Sequence, residues 1–538
     1  MSRLAYGIRS GERIGADLLK IAGLTLDLRQ EELRDGAGVR IALRNRSFGV
    51  LRHLATNAGR IVTKDELLAE NWPGVTVTED SLTQCISEIR RLLGESGRDL
   101  IRTVPRRGYI LSSLPDALPI AATAASGPTV AVWPFENKSG DPDKDALADG
   151  LTQQIISALG RFGELRVLSR SVTTSHKNRS EDGADRGRAL GADYLIDGNV
   201  RRDGALIRID IQLCDVRSGA QVWSRTFKAD LRRTNLLAVQ DDISGQASAM
   251  IGSYWGAIGA AEYKRIQSKS AEQLTPYESI VQGVIGTSTD ATHHEPIAKA
   301  RDCLERVTRD DPRNAPAWAA LVLVFNHQRT WGFASGAEAL SSVETRLYLA
   351  DMAMEAANRA IEIAPNDAFV RGLAARAAWM AGQSDLLRIE TTRAIALNPN
   401  DPQNLGPLGN LMAYSGFWDE GVSLAEKGIA LTAPSTPRWW WWAIAKRAWA
   451  HEDYARAFDA FRQSYVEQLW LSHLHLAYTL PFLGRVSEAQ AHTATLLKLR
   501  AGFTIREADA YYRMWCFAPS YRERMCAALR LAGLPEGA

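Results

Sequence analysis

The hydrophobic pattern of the first hundred residues predicts three short amphipathic helices. In residues 45–57 the apolar face consists of Phe48, Leu51 and Leu54. A capping box at Thr63–Glu66 starts a second helix that ends near Glu70. Thr78 starts a third helix that runs to Leu93. Its apolar stripe consists of Leu82, Ile86, Ile89 and Leu93.

The opposite face of the third predicted helix is polar, with short side chains before longer cationic ones. It presents Thr83, Gln84, Ser87, Glu88, Arg90 and Arg91. Short polar side chains reach base edges in a major groove, and arginines hold phosphates. A face of this kind is more often simply solvated, so the pattern alone leaves both interpretations open.

Two alternating segments after the third helix predict a hairpin with a cationic tip. Ile101–Val104 and Tyr109–Leu111 flank Pro105–Gly108. The tip contains Arg106 and Arg107, and Arg102 lies beside it. Such a tip is often only surface decoration, but here it follows the three helices within 50 residues of chain.

In this order the elements resemble the winged helix-turn-helix DNA-binding domain of the OmpR/PhoB family. The matching stretches are Arg60–Leu68, Trp72, Ser81–Gly94 and Ile101–Ile110. The resemblance implies a four-stranded N-terminal sheet, three helices and a C-terminal wing that enters the minor groove. It also implies binding to double-stranded DNA as a homodimer.

Carried over residue by residue, the resemblance implies a set of DNA contacts. It places Thr83, Gln84, Ser87 and Glu88 at the bases, and Arg90 and Arg91 at the DNA backbone. The DNA contacts of the wing are made by Arg102, Arg106 and Arg107. Glu88 replaces a frequent basic residue, and it either accepts from a cytosine amino group or repels phosphate. Arg106 replaces a frequent wing glycine. No receiver domain precedes the module, so phosphorylation control of that kind is not expected.

Residues 114–127 predict a linker, because prolines and small residues replace the periodic pattern. A mixed α/β domain over residues 128–245 follows. Its predicted elements are a strand at Thr129–Phe135, a helix at Asp145–Leu159, a strand at Leu165–Leu168, and a three-strand meander at Tyr194–Val200, Leu206–Leu213 and Gln221–Phe227. This segment resembles the TolB-like domain of bacterial regulators and cyclases.

Residues 246–538 predict an all-α repeat region. Ala364-Pro-Asn-Asp367 recurs as Asn398-Pro-Asn-Asp401, a spacing of 34 residues, and more weakly as Ala433-Pro434. A helix–turn–helix period of this length is the tetratricopeptide (TPR) signature and predicts a solenoid with a concave groove. Together with the TolB-like segment it resembles HilA/CadC-type regulators without a transmembrane helix.

Four consecutive tryptophans, Trp439, Trp440, Trp441 and Trp442, stand out in the repeat region. Consecutive residues on one helix point in all directions, so they cannot all be core residues. One interpretation places one or two of them in a groove that binds a partner; the other is packing between repeats.

Composition and charge sharpen this division. The chain of 538 residues carries a net charge of +2, while residues 1–113 alone carry 18 Lys and Arg against 14 Asp and Glu, a net charge of +4. The five cysteines are widely spaced, with no Cys-x-x-Cys pair. The N-terminal residues show no signal-peptide pattern, and no apolar run is long enough for a membrane span. A cytoplasmic protein, nucleoid-associated when bound to DNA, is therefore expected.

Enzyme and metal motifs are weak, so no catalytic residue, metal site or cofactor is predicted. Asp141-x-Asp143-x-Asp145 imitates a calcium loop but lacks the required glycine and glutamate. The loop pair in His293-His294-Glu295 has no third ligand. His473 and His475 are expected to line a groove or to pack.

The sequence therefore predicts a multidomain chain. It comprises a winged-helix domain (1–113, core 21–111), a TolB-like α/β domain and a TPR solenoid. The predicted function is a non-enzymatic, DNA-binding transcriptional regulator whose C-terminal regions sense a protein or small-molecule effector. Two alternatives stay open, a TPR interaction scaffold and an adenylate-cyclase-associated regulatory protein that lacks a catalytic domain.

Overall fold

The fold is that of a computed structural model of the chain. The residues it describes are 18–21, 24–27, 32–34, 40–41, 43–56, 62–72, 79–93, 100–104, 108–111, 127–139, 145–175, 183–286, 295–335, 342–433 and 436–537. The chain forms two compact units, Met1–Ala122 and Thr123–Ala538.

Two small sheets and three complete helices occur in the described residues of the first unit. Its elements are β1 Leu18–Ile21, β2 Leu24–Asp27, β3 Glu32–Arg34, β4 Arg40–Ile41, α1 Asn45–Thr56, β5 Val62–Thr63, α2 Lys64–Asn71, α3 Glu79–Leu92, β6 Ile101–Val104 and β7 Gly108–Leu111. β1–β4 form an antiparallel sheet in chain order, and the second sheet has the order β5-β7-β6. The predicted N-terminal sheet, helices and hairpin are confirmed.

Local chemistry explains where the second helix begins. Thr63 is the N-cap of α2, and its hydroxyl accepts a hydrogen bond from the amide of Glu66 at 3.1 Å. This bond satisfies one of the amide groups that the first turn of a helix leaves without a partner. The capping box read from the sequence thus marks the helix start correctly.

The second unit begins with an α/β region. Its elements are β8 Thr129–Val132, β9 Glu136–Asn137, α4 Asp145–Leu159, β10 Arg166–Val167, α5 Arg170–Ser175, α6 Gly183–Ala189, β11 Tyr194–Asp203, β12 Leu206–Asp215 and β13 Gln221–Asp230. The six-stranded sheet has the order β10-β8-β11-β12-β13, with β9 also paired to β11. The strands β11–β13 form the predicted antiparallel meander, whereas β8 and β10 are parallel. The sequence reading missed α5 and α6.

The strand predicted at Thr129–Phe135 is confirmed over Thr129–Val132 but ends three residues early, and a second short strand follows at Glu136–Asn137. Val132 pairs with Ile196 and Glu136 with Asn199, so this edge contains one extra residue. Pro134 has no amide hydrogen to donate to a ladder. The amide of Phe135 instead donates to the hydroxyl of Thr152 on α4 at 3.0 Å. The interruption is therefore a β-bulge, and the Phe135 amide that it removes from the sheet bonds to Thr152 of α4 instead.

The rest of the second unit is helical. The α-helices are α7 Leu236–Gly252, α8 Ala257–Ile266, α9 Pro276–Gly286, α10 Glu295–Asp310, α11 Ala315–Ser335, α12 Val343–Ile363, α13 Ala368–Met380, α14 Ser384–Leu397, α15 Pro402–Tyr414, α16 Trp418–Thr432, α17 Trp441–Ala450, α18 Tyr454–Gln463, α19 Trp470–Thr479, α20 Val486–Leu499, α21 Ile505–Met514 and α22 Pro519–Leu531. Short 3₁₀ turns lie at Ala271–Gln273, Arg438–Trp440 and Leu480–Leu483.

The repeated Pro-Asn-Asp motif starts helices. Asp367 and Asp401 are the N-caps of α13 and α15, which begin 34 residues apart. Their carboxylates accept from the amides of Val370 and Gln403, each at 3.0 Å. The sequence period is thus a period of N-capped helix pairs. Pro434 of the third, weaker motif lies outside the described residues.

The same two motif turns lie against the α/β region. A Cβ added to Gly163 would lie 2.7 Å from a carboxylate oxygen of Asp367, and one added to Gly245 would lie 3.0 Å from the Asn400 amide nitrogen. Ala249 of α7 packs with Leu405 and Leu431 in one buried cluster. The α/β region and the repeat helices therefore share a close-packed contact.

Among the residues the structure describes, no helix is both long and apolar enough to cross a bilayer.

Candidate nucleic-acid interface

The core of the first unit fixes the orientation of α3. Leu82, Ile86 and Ile89 are at most 1% exposed and Leu93 is 7% exposed, as the apolar stripe predicts. They share a cluster with Phe48, Leu51 and Leu54 of α1, whose predicted burial is also confirmed. Because the buried stripe determines the rotation of α3, the opposite face points away from the core.

That outer face carries four of the six polar residues singled out in α3. Thr83, Gln84, Ser87 and Arg91 are exposed. The Ser87 hydroxyl donates to the Thr83 carbonyl at 2.9 Å, a bond along the helix that leaves its oxygen able to accept. The face thus offers short hydrogen-bonding groups near its middle and a cation towards its end, which suits bases and phosphate respectively.

Glu88 lies away from that exposed face, in contact with α1. The Ser47 hydroxyl donates to its Oε2 at 2.6 Å, and Arg44 Nε lies 3.9 Å from its Oε1. Its side chain is only 18% exposed. The base-contacting role that the resemblance implies for Glu88 therefore needs correction: this carboxylate ties α3 to the first turn of α1.

Arg90 also needs correction, because it bonds within the domain. Its Nε donates to the Ile101 carbonyl at 3.0 Å, and its Nη2 donates to the Thr103 hydroxyl at 2.9 Å. Both acceptors lie on β6. The guanidinium that the resemblance assigns to the DNA backbone thus links α3 to the hairpin, and Arg91 alone of the pair is exposed.

The hairpin is antiparallel, and Arg102 on β6 is exposed opposite Ile110. A Cβ on Gly108 would lie 2.0 Å from the Val62 carbonyl oxygen, so β5 and β7 meet this closely only with glycine there. Arg106 and Arg107 lie outside the described residues.

Sequence reading missed a second tie between helices. Arg46 of α1 donates to the Asn71 carbonyl and lies 5.8 Å from the Trp72 ring. Buried Asn71 donates its side-chain amide to the Leu67 carbonyl at 2.9 Å. Polar residues flanking an apolar stripe are the available signal, but it does not reveal which partner each will find.

The four tryptophans occupy two kinds of backbone. Trp439 and Trp440 belong to a 3₁₀ turn, and Trp441 begins α17, so the four do not lie on a single helix as the sequence suggests. Trp440 is 1% exposed, whereas the other three are partly buried.

The weak metal and enzyme patterns gain no support. Asp141, Asp143, His293 and His294 lie outside the described residues, as do the side chains of Asp145 and Glu295. His473 and His475 are buried, consistent with packing, and ring nitrogens of His473 and His492 lie 3.0 Å apart. No group of three His, Cys, Asp or Glu side chains suited to a metal occurs within the described part of the chain.

Two known families match the two regions that precede the repeat helices. Residues 38–111 match the family described as "Transcriptional regulatory protein, C terminal". Residues 126–245 match "HilA/YgeH-like transcriptional regulator, second domain". The chain carries an OmpR/PhoB-type domain followed by a HilA-like domain. The OmpR/PhoB-type match ends at Leu111, the last residue of β7.

Curated relatives extend this likeness. "Transcriptional regulator HilA" of Salmonella typhi is 27% identical over 269 residues, which cover 48% of this chain and 47% of HilA. "Transcriptional activator CadC" of Escherichia coli (strain K12) is 31% identical over 111 residues, covering 17% of this chain and 22% of CadC.

A third relative carries a different name. "Putative adenylate cyclase 3" of Rhizobium meliloti (strain 1021) is 30% identical over 200 residues, covering 37% of this chain. The chain spans 32% of that relative and about half of HilA.

Proposed function

We propose that this chain is a transcriptional regulator that binds promoter DNA through α3. The carrying observation is the division of α3 into a fully buried stripe and an exposed face of Thr83, Gln84, Ser87 and Arg91. A helix anchored by one face presents the other at a fixed rotation, which base readout in a major groove requires. The match of residues 38–111 to a regulator family supports the same conclusion.

In this proposal the residues divide into two groups. Those that contact DNA are Thr83, Gln84 and Ser87 at base edges, Arg91 and Arg102 at phosphates, and Arg106 and Arg107 at the minor groove. Glu88 and Arg90 are positioning residues, because their charged groups bond to α1 and β6. The protein binds as a homodimer on DNA, by analogy with the OmpR/PhoB family.

Fluorescence anisotropy of the full chain on genomic fragments recovered by chromatin-wide mapping tests the proposal. Arg91, Arg102, Arg106 and Arg107 bring four cations to the DNA of each module, so the log–log slope of affinity against salt is expected to be about −3.6. Gln84→Ala weakens binding to the recovered site more than to a shuffled sequence, by about 1–3 kcal/mol of discrimination.

A matched control removes the same kind of charge elsewhere. Arg91→Ala lowers the salt slope by about 0.9 on any sequence, because one phosphate contact is lost. Arg40→Ala, on β4 and paired with Glu32 at 3.2 Å, leaves the slope unchanged. Equal effects of the two substitutions, or a slope near zero, contradict the assignment.

The remaining parts are proposed as the regulatory portion of the molecule. We infer a linker at 114–127, a TolB-like domain at 128–245 and a TPR region at 246–538. The 34-residue period of N-capped helices supports the TPR assignment. These regions bind an effector and act without catalysis in the cytoplasm, where bacterial DNA lies. Matches to two regulator families support the non-catalytic role.

A further inference from the structure

A large open cavity lies inside the second unit, where the α/β region meets the repeat helices. Its volume is about 1060 Å³. One side is formed by β13 and by α7 and α8, and the other by residues around α15, α16 and the 3₁₀ turn at Arg438–Trp440. Pockets that bind small molecules occur preferentially at such junctions and have volumes of about 300–1,000 Å³.

The walls of this cavity are mainly apolar and unusually aromatic. Three tryptophans line it, Trp223 from the sheet, Trp255 before α8 and Trp440 from the repeat region. Between them the surface is made of small side chains, among them Ala257, Ala260 and Ala261. A lining of indole rings and small alanine side chains suits a ligand with a flat or extended apolar body.

Two of the tryptophans are held in place before any ligand arrives. The Trp255 indole nitrogen donates to the Val284 carbonyl at 3.2 Å. The Trp440 ring packs on glycines: a Cβ on Gly406 would lie 2.2 Å from it and one on Gly428 would lie 3.0 Å from it. Fixed walls reduce the entropy lost on binding. The indole nitrogen of Trp440 is buried and has no hydrogen-bond partner among the residues that the structure describes.

The cavity lining also contains charged side chains. Arg217, Lys264 and Arg265 line the cavity, against the single carboxylate of Asp215. Arg217 and Arg265 both bond to one oxygen of buried Glu262, and Arg217 also lies 3.6 Å from Asp193 and 3.8 Å from Asp215. Lys264 is exposed and has no ion-pair partner among the described residues. Lys264 is therefore the lining cation that stays available to an anion beside the apolar walls.

We propose that this cavity binds a small amphipathic anion, with its apolar body between the tryptophans and its carboxylate or phosphate at Lys264 and Arg265. The claim that the bound anion is an effector rests on the proposed regulatory function. The claim that the cavity binds an anion rests only on the residues that line the cavity. A ligand here touches the α/β region and the repeat helices together, so it couples the two.

Calorimetric titration of the full chain with decanoate and with naphthalene-2-carboxylate tests the site. At least one of the two binds saturably, and the corresponding uncharged amide binds several-fold more weakly. Ala260→Trp, at an exposed position of α8 in the lining, narrows the cavity and weakens binding at least tenfold. Ala491→Trp, at an exposed position of α20 outside the lining, leaves binding unchanged.

A second pair of variants tests the charge. Lys264→Gln weakens binding of the anion about two- to five-fold, the range expected for one exposed ion pair, and has no effect on the amide. Lys498→Gln on α20 changes neither. Added salt reproduces part of the Lys264→Gln effect.

Three results overturn the proposal: no saturable binding of either anion up to millimolar concentration, binding that Ala260→Trp leaves intact, or equal affinity for acid and amide. DNA binding is measured in parallel on the same proteins. Anion binding with no DNA binding defeats the proposed function but not the site, and the converse result defeats only the site.

Discussion

The two ends of the molecule treat charge in opposite ways. In α3 the apolar residues lie inside, and Arg91, which has no partner among the described residues, lies outside. In the repeat helices several cations lie inside. Lys446 is 3% exposed and Arg329 is 7% exposed, and neither has a carboxylate within ion-pairing distance in the described residues. The first arrangement is typical of a surface that meets a charged partner, whereas the second places charge in the interior.

Aromatic rings take the place of counter-ions in that interior. The Lys446 ammonium lies 4.4 Å from the Tyr414 ring centre, 5.1 Å from those of Trp442 and Phe517, and 5.2 Å from that of Tyr512. Burial lowers the pKa of Lys446 to about 7 and that of Arg329 to about 10. Cation–π attraction offsets only part of the desolvation of a charge. The repeat region thus gives up stability to keep these cations.

The largest expected effect tests the apolar side of the comparison. Ile89→Ala removes a fully buried side chain from the contact of α3 with the core and lowers the free energy of unfolding of the first unit by about 2–5 kcal/mol. Chemical denaturation followed by circular dichroism measures it. Thr83→Ala, on the exposed face of the same helix, is the control, and a loss as large as that of Ile89→Ala would show that the faces are assigned wrongly.

The next effect tests the buried cation. Below pH 7 Lys446 carries a proton in both the folded and the unfolded chain, so folding bears the full desolvation. Between about pH 7 and its ordinary pKa of 10.5 only the unfolded chain keeps the proton, and the free energy of unfolding rises with pH. Lys446→Met is therefore expected to stabilise the second unit at pH 6, by about 1–4 kcal/mol, and to flatten this rise.

Thermal unfolding measured at several pH values checks this expectation, with Lys498→Met, at an exposed lysine of α20, as the control. His475 contributes a slope of the same sign, because burial lowers its pKa well below the ordinary value and acidification must charge it. If Lys446→Met instead lowers the free energy of unfolding at pH 6, a counter-ion stabilises the Lys446 ammonium in solution and the expectation is wrong.

A smaller effect concerns Trp440, the one fully buried tryptophan of the run of four. Gly406→Ala places a methyl group 2.2 Å from its ring and is expected to lower the free energy of unfolding of the second unit by about 1–3 kcal/mol. Tryptophan fluorescence during urea unfolding measures this. Gly416→Ala is unsuitable as a control, because alanine would be strained at the φ of +98° that Gly416 adopts. The control is Ala491→Ser, at an exposed position of α20.

An effect of similar size separates two neighbouring arginines. Arg90→Gln breaks charge-assisted bonds to β6 and is expected to lower the stability of the first unit by about 1.5–3 kcal/mol. Arg91→Gln leaves stability within about 0.5 kcal/mol, because its side chain is exposed. Melting curves of the two variants decide it, and equal curves would return Arg90 to the exposed face.

The sequence was informative where a local rule determines the structure. The Thr63 cap, the stripe from Leu82 to Leu93 and the Pro-Asn-Asp period each depend on residues within a few turns of one another. It failed where a side chain finds its partner far along the chain. Glu88 bonds to Ser47 and Arg90 to Ile101, and no spacing within α3 distinguishes these two from Ser87 and Arg91. The same limit hid the surroundings of Lys446: Trp442 lies on its own helix, but Tyr414, Tyr512 and Phe517 come from distant parts of the chain.

The contact of the two motif turns with the α/β region constrains how this protein can change in evolution. Arrays of helical pairs commonly gain or lose whole units. Here Asp367 meets Gly163 and Asn400 meets Gly245, so two successive units are docked at fixed places on a sheet-bearing partner. A repeat unit inserted between them would move one of these two contacts away from its glycine by the length of a full repeat. Copy number is therefore expected to be invariant at α13–α16 and free to vary only beyond them.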